Sequence, residues 1–130
     1  MIIDSSALLA IYFNEPEKEE FLDLILNTES AMISAANYVE VHLRVDHALN
    51  ETARLAFDEF FSKLKIEIMP VSVEQSKVAR IANQAYGRAS GHKAKLNYGD
   101  CFAYALAKEL DKQLLFKGED FIHTDVQQAR

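Results

Sequence analysis

The feature that most constrains this chain is an alternation. Short apolar runs take turns with longer amphipathic stretches, and no hairpin dipeptide joins two neighbouring runs. Met1-Ile2-Ile3 is a β-branched run that ends at Asp4, and Ser5 or Ser6 is placed to cap a helix through Tyr12. After a turn at Asn14-Glu15-Pro16, Phe21, Leu22, Leu24, Ile25 and Leu26 form the next helical face. Residues 31–34 read as a second strand. Ala35 to Leu49 reads as a helix that is apolar on more than one side, and Asn50 as a break. Ala53, Phe57, Phe60, Phe61 and Leu64 keep to one face of a helix from Glu51 to Leu64. Residues 66–71 alternate as a third strand, and Val73 to Tyr86 is helical. Gly87 to Asn97 is a loop, Tyr98 to Leu110 a helix and Leu114–Phe116 a fourth strand. Residues 117–121 make a turn or short helix, and the tail beyond is weakly patterned. Strands joined through helices imply right-handed crossovers and a short, mostly parallel sheet in an α/β sandwich. Sites in such folds lie at the carboxyl ends of the strands.

A chain of 130 residues makes one domain, here taken as residues 1–130. A single cysteine, Cys101, excludes an internal disulfide framework and a multi-cysteine zinc site. No apolar run is longer than that from Ala7 to Phe13, which falls far short of the ~20 residues of a membrane span. Met-Ile-Ile-Asp puts an acid where an export signal carries bases, so the expectation is a cytoplasmic protein with no membrane association. The net charge of −6 argues against a polyanionic partner, but the charge is unevenly spread. Glu15, Glu17, Glu19, Glu20, Asp23 and Glu29 face only Lys18 in the first block. Residues 75–99 carry Lys77, Arg80, Arg88, Lys93 and Lys95 and no acid, ending directly before Asp100. Either block also reads as a solvated surface.

Four acids stand where structural economy would not put them. Asp4 ends a strand inside an apolar run, and Glu40 lies between Val39 and Val41. Asp100 opens an apolar helix, and Asp120 follows the last strand. Each has a plain structural reading. Asp4 can cap a helix, Asp100 can complement a helix dipole, Glu40 can face solvent and Asp120 can sit in a turn. Taken together they suggest a cluster, because two follow strands and two can converge from adjoining helices. Clustered carboxylates repel one another unless a cation intervenes, and hard oxygen ligands with water positions suit Mg²⁺ or Mn²⁺. Two such ions ~3.5–4 Å apart serve phosphodiester hydrolysis. Other residues read more plainly. Cys101 lacks a paired base and reads as an inert buried thiol, while Phe57, Phe60 and Phe61 read as core. His42 and His47 are five residues apart and do not share a helix face, and His92 and His123 read as surface histidines.

The opening Met1-Ile2-Ile3-Asp4-Ser5-Ser6-Ala7-Leu8-Leu9-Ala10-Ile11-Tyr12 resembles the start of a PIN domain of the VapC toxin type. So do Ala36-Asn37-Tyr38-Val39-Glu40-Val41, Leu96-Asn97-Tyr98-Gly99-Asp100-Cys101-Phe102-Ala103-Tyr104-Ala105-Leu106-Ala107 and Leu115-Phe116-Lys117-Gly118-Glu119-Asp120-Phe121. The resemblance runs through the whole chain. It implies a three-layer α/β/α sandwich and a metal-dependent endoribonuclease, the toxin of a toxin–antitoxin pair. It implies catalytic acids Asp4, Glu40, Asp100 and Asp120. Asp4, Asp100 and Asp120 would hold Mg²⁺ or Mn²⁺, with Asp125 a further candidate ligand, and Ser5 or Ser6 would orient the site. It also implies hydrolysis by metal-activated water, a homodimer, and a VapB-type antitoxin able to place a basic side chain in the acidic site. On the residues alone, Arg88, Lys93 and Lys95 are expected to hold RNA phosphates. The apolar breadth of the helices at 21–26 and 35–49 puts the dimer contact in the first half of the chain.

Three other readings compete. A structure-specific DNA nuclease of the flap type would carry an insertion for a clamp, which this short chain lacks. A PIN-like binding module without activity would have lost some of the four acids. A phospho-acceptor receiver would need an acidic pair after the first strand, and only its late lysine is loosely matched, by Lys117.

Overall fold

Among the described residues, four helices begin on a side-chain cap. Asp4 accepts from the Ser6 N–H at 3.0 Å, Asn50 from Ala53 at 2.9 Å, Ser72 from Gln75 at 3.0 Å and Asn97 from Asp100 at 2.9 Å. The first cap is therefore Asp4, not Ser5 or Ser6, both of which already lie within the helix. The computed structural model describes residues 1–48 and 50–130; Leu49, the expected end of one helix, lies outside the described residues. The elements are β1 (Ile2–Ile3), α1 (Ser5–Tyr12), α2 (Lys18–Asn27), β2 (Met32–Ser34), α3 (Ala35–Ala48) and α4 (Glu51–Lys63). They continue with β3 (Glu67–Met69), α5 (Val73–Tyr86), a 3₁₀ turn (Arg88–Ser90), α6 (Tyr98–Leu110) and β4 (Leu114–Leu115).

All strand pairings are parallel, in the order β3-β2-β1-β4. The chain steps from β1 outward through β2 to β3, then crosses back to place β4 on the other side of β1. The switch point of the sheet thus falls between β1 and β4, where α/β folds open a crevice beyond the strand ends. Period-2 alternation assigns the two faces. Ile3, Ile33 and Leu115 pack with buried residues of α1, α2, α3 and α4, including Phe21, Val41 and Phe57. Ile2, Leu114 and Phe116 pack with Ala79, Ala82, Ala103 and Leu106 of α5 and α6. The result is a three-layer α/β/α sandwich.

The third strand is shorter than the alternation over 66–71 suggests. Pro70 has no N–H to give a ladder, and Glu67 and Ile68 are exposed at the sheet edge. The tail is better ordered than its sequence suggests. Leu114 N–H donates to the Gln127 carbonyl at 2.8 Å and Ala129 N–H to Leu114 at 3.0 Å, so the tail covers the outer edge of β4. Phe121 and Val126 are buried. Along α3, Val41 and Val45 are fully buried while Val39 and Leu43 are exposed, which is the two-sided apolarity seen in the sequence.

Truncating a fully buried central residue should therefore cost far more than truncating a surface one. Leu115→Ala should lower the unfolding free energy by about 2–5 kcal/mol, and Val73→Ala, at an exposed first-turn position of α5, by no more than about 0.5 kcal/mol. Urea unfolding of both variants measures the difference; equal losses would contradict the layer assignment.

Candidate active site

A cleft of about 240 Å³ opens at the switch point, lined by Asp4, Ser5, Ser6, Glu40, Asp100 and Asp120 together with Leu9, Arg44, Asn97, Lys117 and Phe121. Asp4 is delivered by the end of β1, where its N–H is tied to the Leu115 carbonyl at 2.9 Å. One carboxylate oxygen, Oδ2, accepts from Ser6 Oγ at 2.6 Å as well as from the Ser6 N–H. The other, Oδ1, is buried and has no hydrogen-bond partner among the described residues. Ser6 Oγ in turn accepts from Lys117 N–H at 2.9 Å, so one hydroxyl joins Asp4 to the loop that carries Asp120.

Glu40 reaches the cleft from the second turn of α3. Ser5 Oγ donates to Glu40 Oε1, and Asn37 Nδ2 lies 3.4 Å from the same oxygen. Asn37, fully buried, also donates to the Gly99 carbonyl at 2.9 Å and so couples α3 to the start of α6. Gly99 leaves room for the Glu40 carboxylate: a Cβ there would meet the Glu40 side-chain oxygens and push them aside. Asp100 follows at once and completes a capping box, its Oδ2 accepting from Asn97 N–H at 2.9 Å. Asp120 is exposed at the cleft rim.

Burial and like charge shape the chemistry. Burial pushes Asp4 up to about 6, with the Glu40 charge adding to the rise and the Ser6 hydrogen bonds resisting it. Burial also raises Asp100 to about 7, helped by the charges of Asp4, Asp120 and Glu40 and opposed by the Asn97 N–H. Two carboxyls that resist ionisation in one cleft make it a candidate site for a cation or a proton. The candidate metal donors are carboxylate and hydroxyl oxygens, with no histidine or cysteine lining the cleft among the described residues, which suits a hard divalent ion rather than zinc. Among the described residues, no three acidic, histidine or cysteine side chains stand together as a ready ion cage. Mg²⁺ does not demand one, since it is usually held by one or two carboxylates and keeps several waters. The unpartnered Asp4 Oδ1 is the atom most suited to such a bond.

Asp4, Glu40, Asp100, Asp120, Ser5 and Ser6 all line this one cleft. Asp125 does not. Burial would raise that carboxyl, but the Tyr104 hydroxyl at 2.7 Å and Lys108 Nζ at 3.0 Å hold it below the usual carboxylate range. Asp125 fastens the tail to α6 instead of lining the cleft. Arg88, Lys93 and Lys95 are exposed on the turn and loop before α6 and do not line the cleft either. The cations that do are Arg44 and Lys117, which the sequence reading did not place there. Arg44 sits four residues after Glu40, the spacing of a shared helix face, and that was the signal available for it. Asn97 was legible as the first member of an Asn-x-x-Asp capping pair.

Raised carboxyl pKa values give a stability slope of definite sign. The folded state binds more protons than the unfolded chain from the ordinary carboxylate value of 3.8 up through about 6 and about 7. Without divalent ions, the Asp4 and Asp100 contribution to stability therefore falls as pH rises from 5 to 8. Asp100→Asn, which keeps an acceptor for the Asn97 N–H, should flatten that fall. Melting temperatures across this range in EDTA test it, and an unchanged slope in the variant would contradict the shared-charge reading.

The chain matches the PIN domain family over residues 1–127. It is 40% identical over 129 residues to a VapC ribonuclease of Mycobacterium bovis, covering 99% of this chain and 97% of that one. Its fold superposes on VapBC2 of Rickettsia felis, solved bound to a DNA fragment from the promoter, with a TM-score of 0.75 at 14% identity, over 98% of this chain and 94% of that one. It also superposes on VapC20 of Mycobacterium tuberculosis, described as a sarcin–ricin loop cleaving toxin, with a TM-score of 0.71 at 14% identity, over 97% and 98%. With its fold, its cleft at the switch point and this likeness in view, the chain belongs to the PIN-domain family, among the VapC ribonucleases.

Proposed function

We propose that this VapC ribonuclease is an endoribonuclease that depends on Mg²⁺ or Mn²⁺ and acts as the toxin of a VapBC-type pair. The observation that carries the reading is the meeting of Asp4, Glu40, Asp100 and Asp120 in one cleft, with Asp4 Oδ1 buried and unpartnered. Asp4, Asp100 and Asp120 would hold the ion, and Glu40 would assist through a direct or water-mediated contact. A divalent ion bound there supplies the activation of water and the neutralisation of charge on the leaving oxygen.

The chain's own groups do the rest. Ser6 fixes Asp4 against the Asp120 loop, while Ser5 and Asn37 turn Glu40 toward Gly99 and Asp100. The Asn97 N–H keeps Asp100 pointed into the cleft. Lys93 and Lys95, exposed before α6, would meet RNA phosphates outside the cleft. A partner antitoxin accords with the fold neighbours from toxin–antitoxin complexes. The acidic cleft suits a basic antitoxin side chain, and the exposed Val39 and Leu43 of α3 offer apolar surface to a second copy of the chain. Among the described residues no helix is long and apolar enough to cross a membrane, and the proposed place of action is the cytoplasm.

Asp100→Asn should abolish RNA cleavage, raise the melting temperature in EDTA, and reduce the stabilisation gained on adding Mn²⁺. If Asp100 served only as a charge at the α6 N-terminus, the variant would instead lose roughly 0.3–1 kcal/mol. A destabilised variant in EDTA with an undiminished Mn²⁺ shift would refute the metal role. Sedimentation at micromolar concentration should show about twice 14.7 kDa; a monomer there would refute the homodimer.

A further inference from the structure

Arg44 is an exposed cation on the wall of a cleft lined by four carboxylates, yet among the described residues it forms no ion pair with any of them. Its helical neighbour Glu40 lies one turn away, about 5–6 Å between Cβ atoms, which is close enough for a pair. Glu40 is turned aside by Ser5 and Asn37 instead. The other cation of the cleft, Lys117, is committed elsewhere: its Nζ is paired with Glu15 and lies 3.1 Å from Glu17. That leaves one unengaged guanidinium beside the acids.

We propose that Arg44 binds the RNA phosphate next to the scissile one. This rests on the ribonuclease reading above and assigns that reading a residue. The physical need is clear. Four carboxylates repel a polyanion, and an ion held among them offsets the charge at the reacting phosphate only. The flanking phosphate meets the same acidic wall. A planar guanidinium with five donors suits a phosphate in two-point contact, and it keeps its charge at any working pH. Its place on α3, a helix already tied to α6 through Asn37, holds it at fixed reach from Asp100. Arg88, Lys93 and Lys95 lie outside the cleft and cannot meet this need at close range.

The contact exists before and during the reaction alike, so its loss should appear in KM rather than kcat. The test compares wild type, Arg44→Met and Arg44→Lys with Mn²⁺ and a fluorescent mixed-sequence single-stranded RNA, over a range of salt. Arg44→Met should raise KM about tenfold with kcat nearly unchanged, and should shrink the slope of log(kcat/KM) against log salt by about 0.7. Arg44→Lys should restore the slope while recovering only part of the affinity, because the point charge returns without the fork. A purely structural role would lower the melting temperature and leave the slope as it was. If Arg44→Met cleaves with wild-type KM and salt slope, the Arg44 assignment is wrong and the nuclease reading stands. If wild type itself cleaves no RNA, the nuclease reading fails and takes the assignment with it.

Discussion

Holding Asp4 and Asp100 out of water, beside two further carboxylates, is the constraint on which this structure turns. Buried acids without partners are disfavoured, and like charges close together add to the cost. The fold carries the cost by supplying fixed donors. Ser6 gives Asp4 both its hydroxyl and its N–H, Asn97 gives Asp100 a backbone N–H, and Ser5 and Asn37 hold Glu40. These donors come from helix starts, where unpaired N–H groups are already present. The site and the helix caps are thus one arrangement. Asp4 and Asp100 are structural caps and candidate ligands at once, and the two readings of them do not compete.

That double use explains what the sequence revealed and what it hid. The alternation of strands and helices was plain because β-branched runs and 3.6-period faces are local signals. α6 begins and ends where its apolar spacing says. Asp4, Glu40 and Asp100 stood out because each interrupts or opens such a pattern, and Asp120 because it follows the last strand. Asp125 was a further candidate ligand through the family resemblance. Its pairing with Tyr104 and Lys108 depends on how the tail folds back on α6, and that is a long-range fact. The third strand read too long because alternation does not report the lost hydrogen bond at Pro70. The tail's pairing with β4 was hidden because backbone hydrogen bonds leave almost no mark on side-chain type.

The charge distribution shows the same division. A net charge of −6 suits a protein that gathers acids at its working cleft, and the acid-free segment from 75 to 99 is real in sequence. In space its lysines lie outside the cleft, while the cations inside come from α3 and from the loop after β4. Lys117 is bound to glutamates of the α1–α2 loop and so ties that loop to the strand end bearing Asp120. Arg44 remains. Sequence spacing alone could not separate the two, because what distinguishes them is which acids surround each one in the folded chain.

If these carboxylates serve as ligands, the cleft between β1 and β4 holds a divalent ion. The most direct measurement is a crystal structure of the protein soaked with Mn²⁺, with the ion located by its anomalous scattering. A peak is expected in the cleft bonded to Asp4 Oδ1 and to Asp100 or Asp120, at roughly the 2.0–2.1 Å of a small hard cation with oxygen ligands. A cleft without anomalous density at an Mn²⁺ concentration that fills other sites, or an ion held at Asp125 instead, would contradict it.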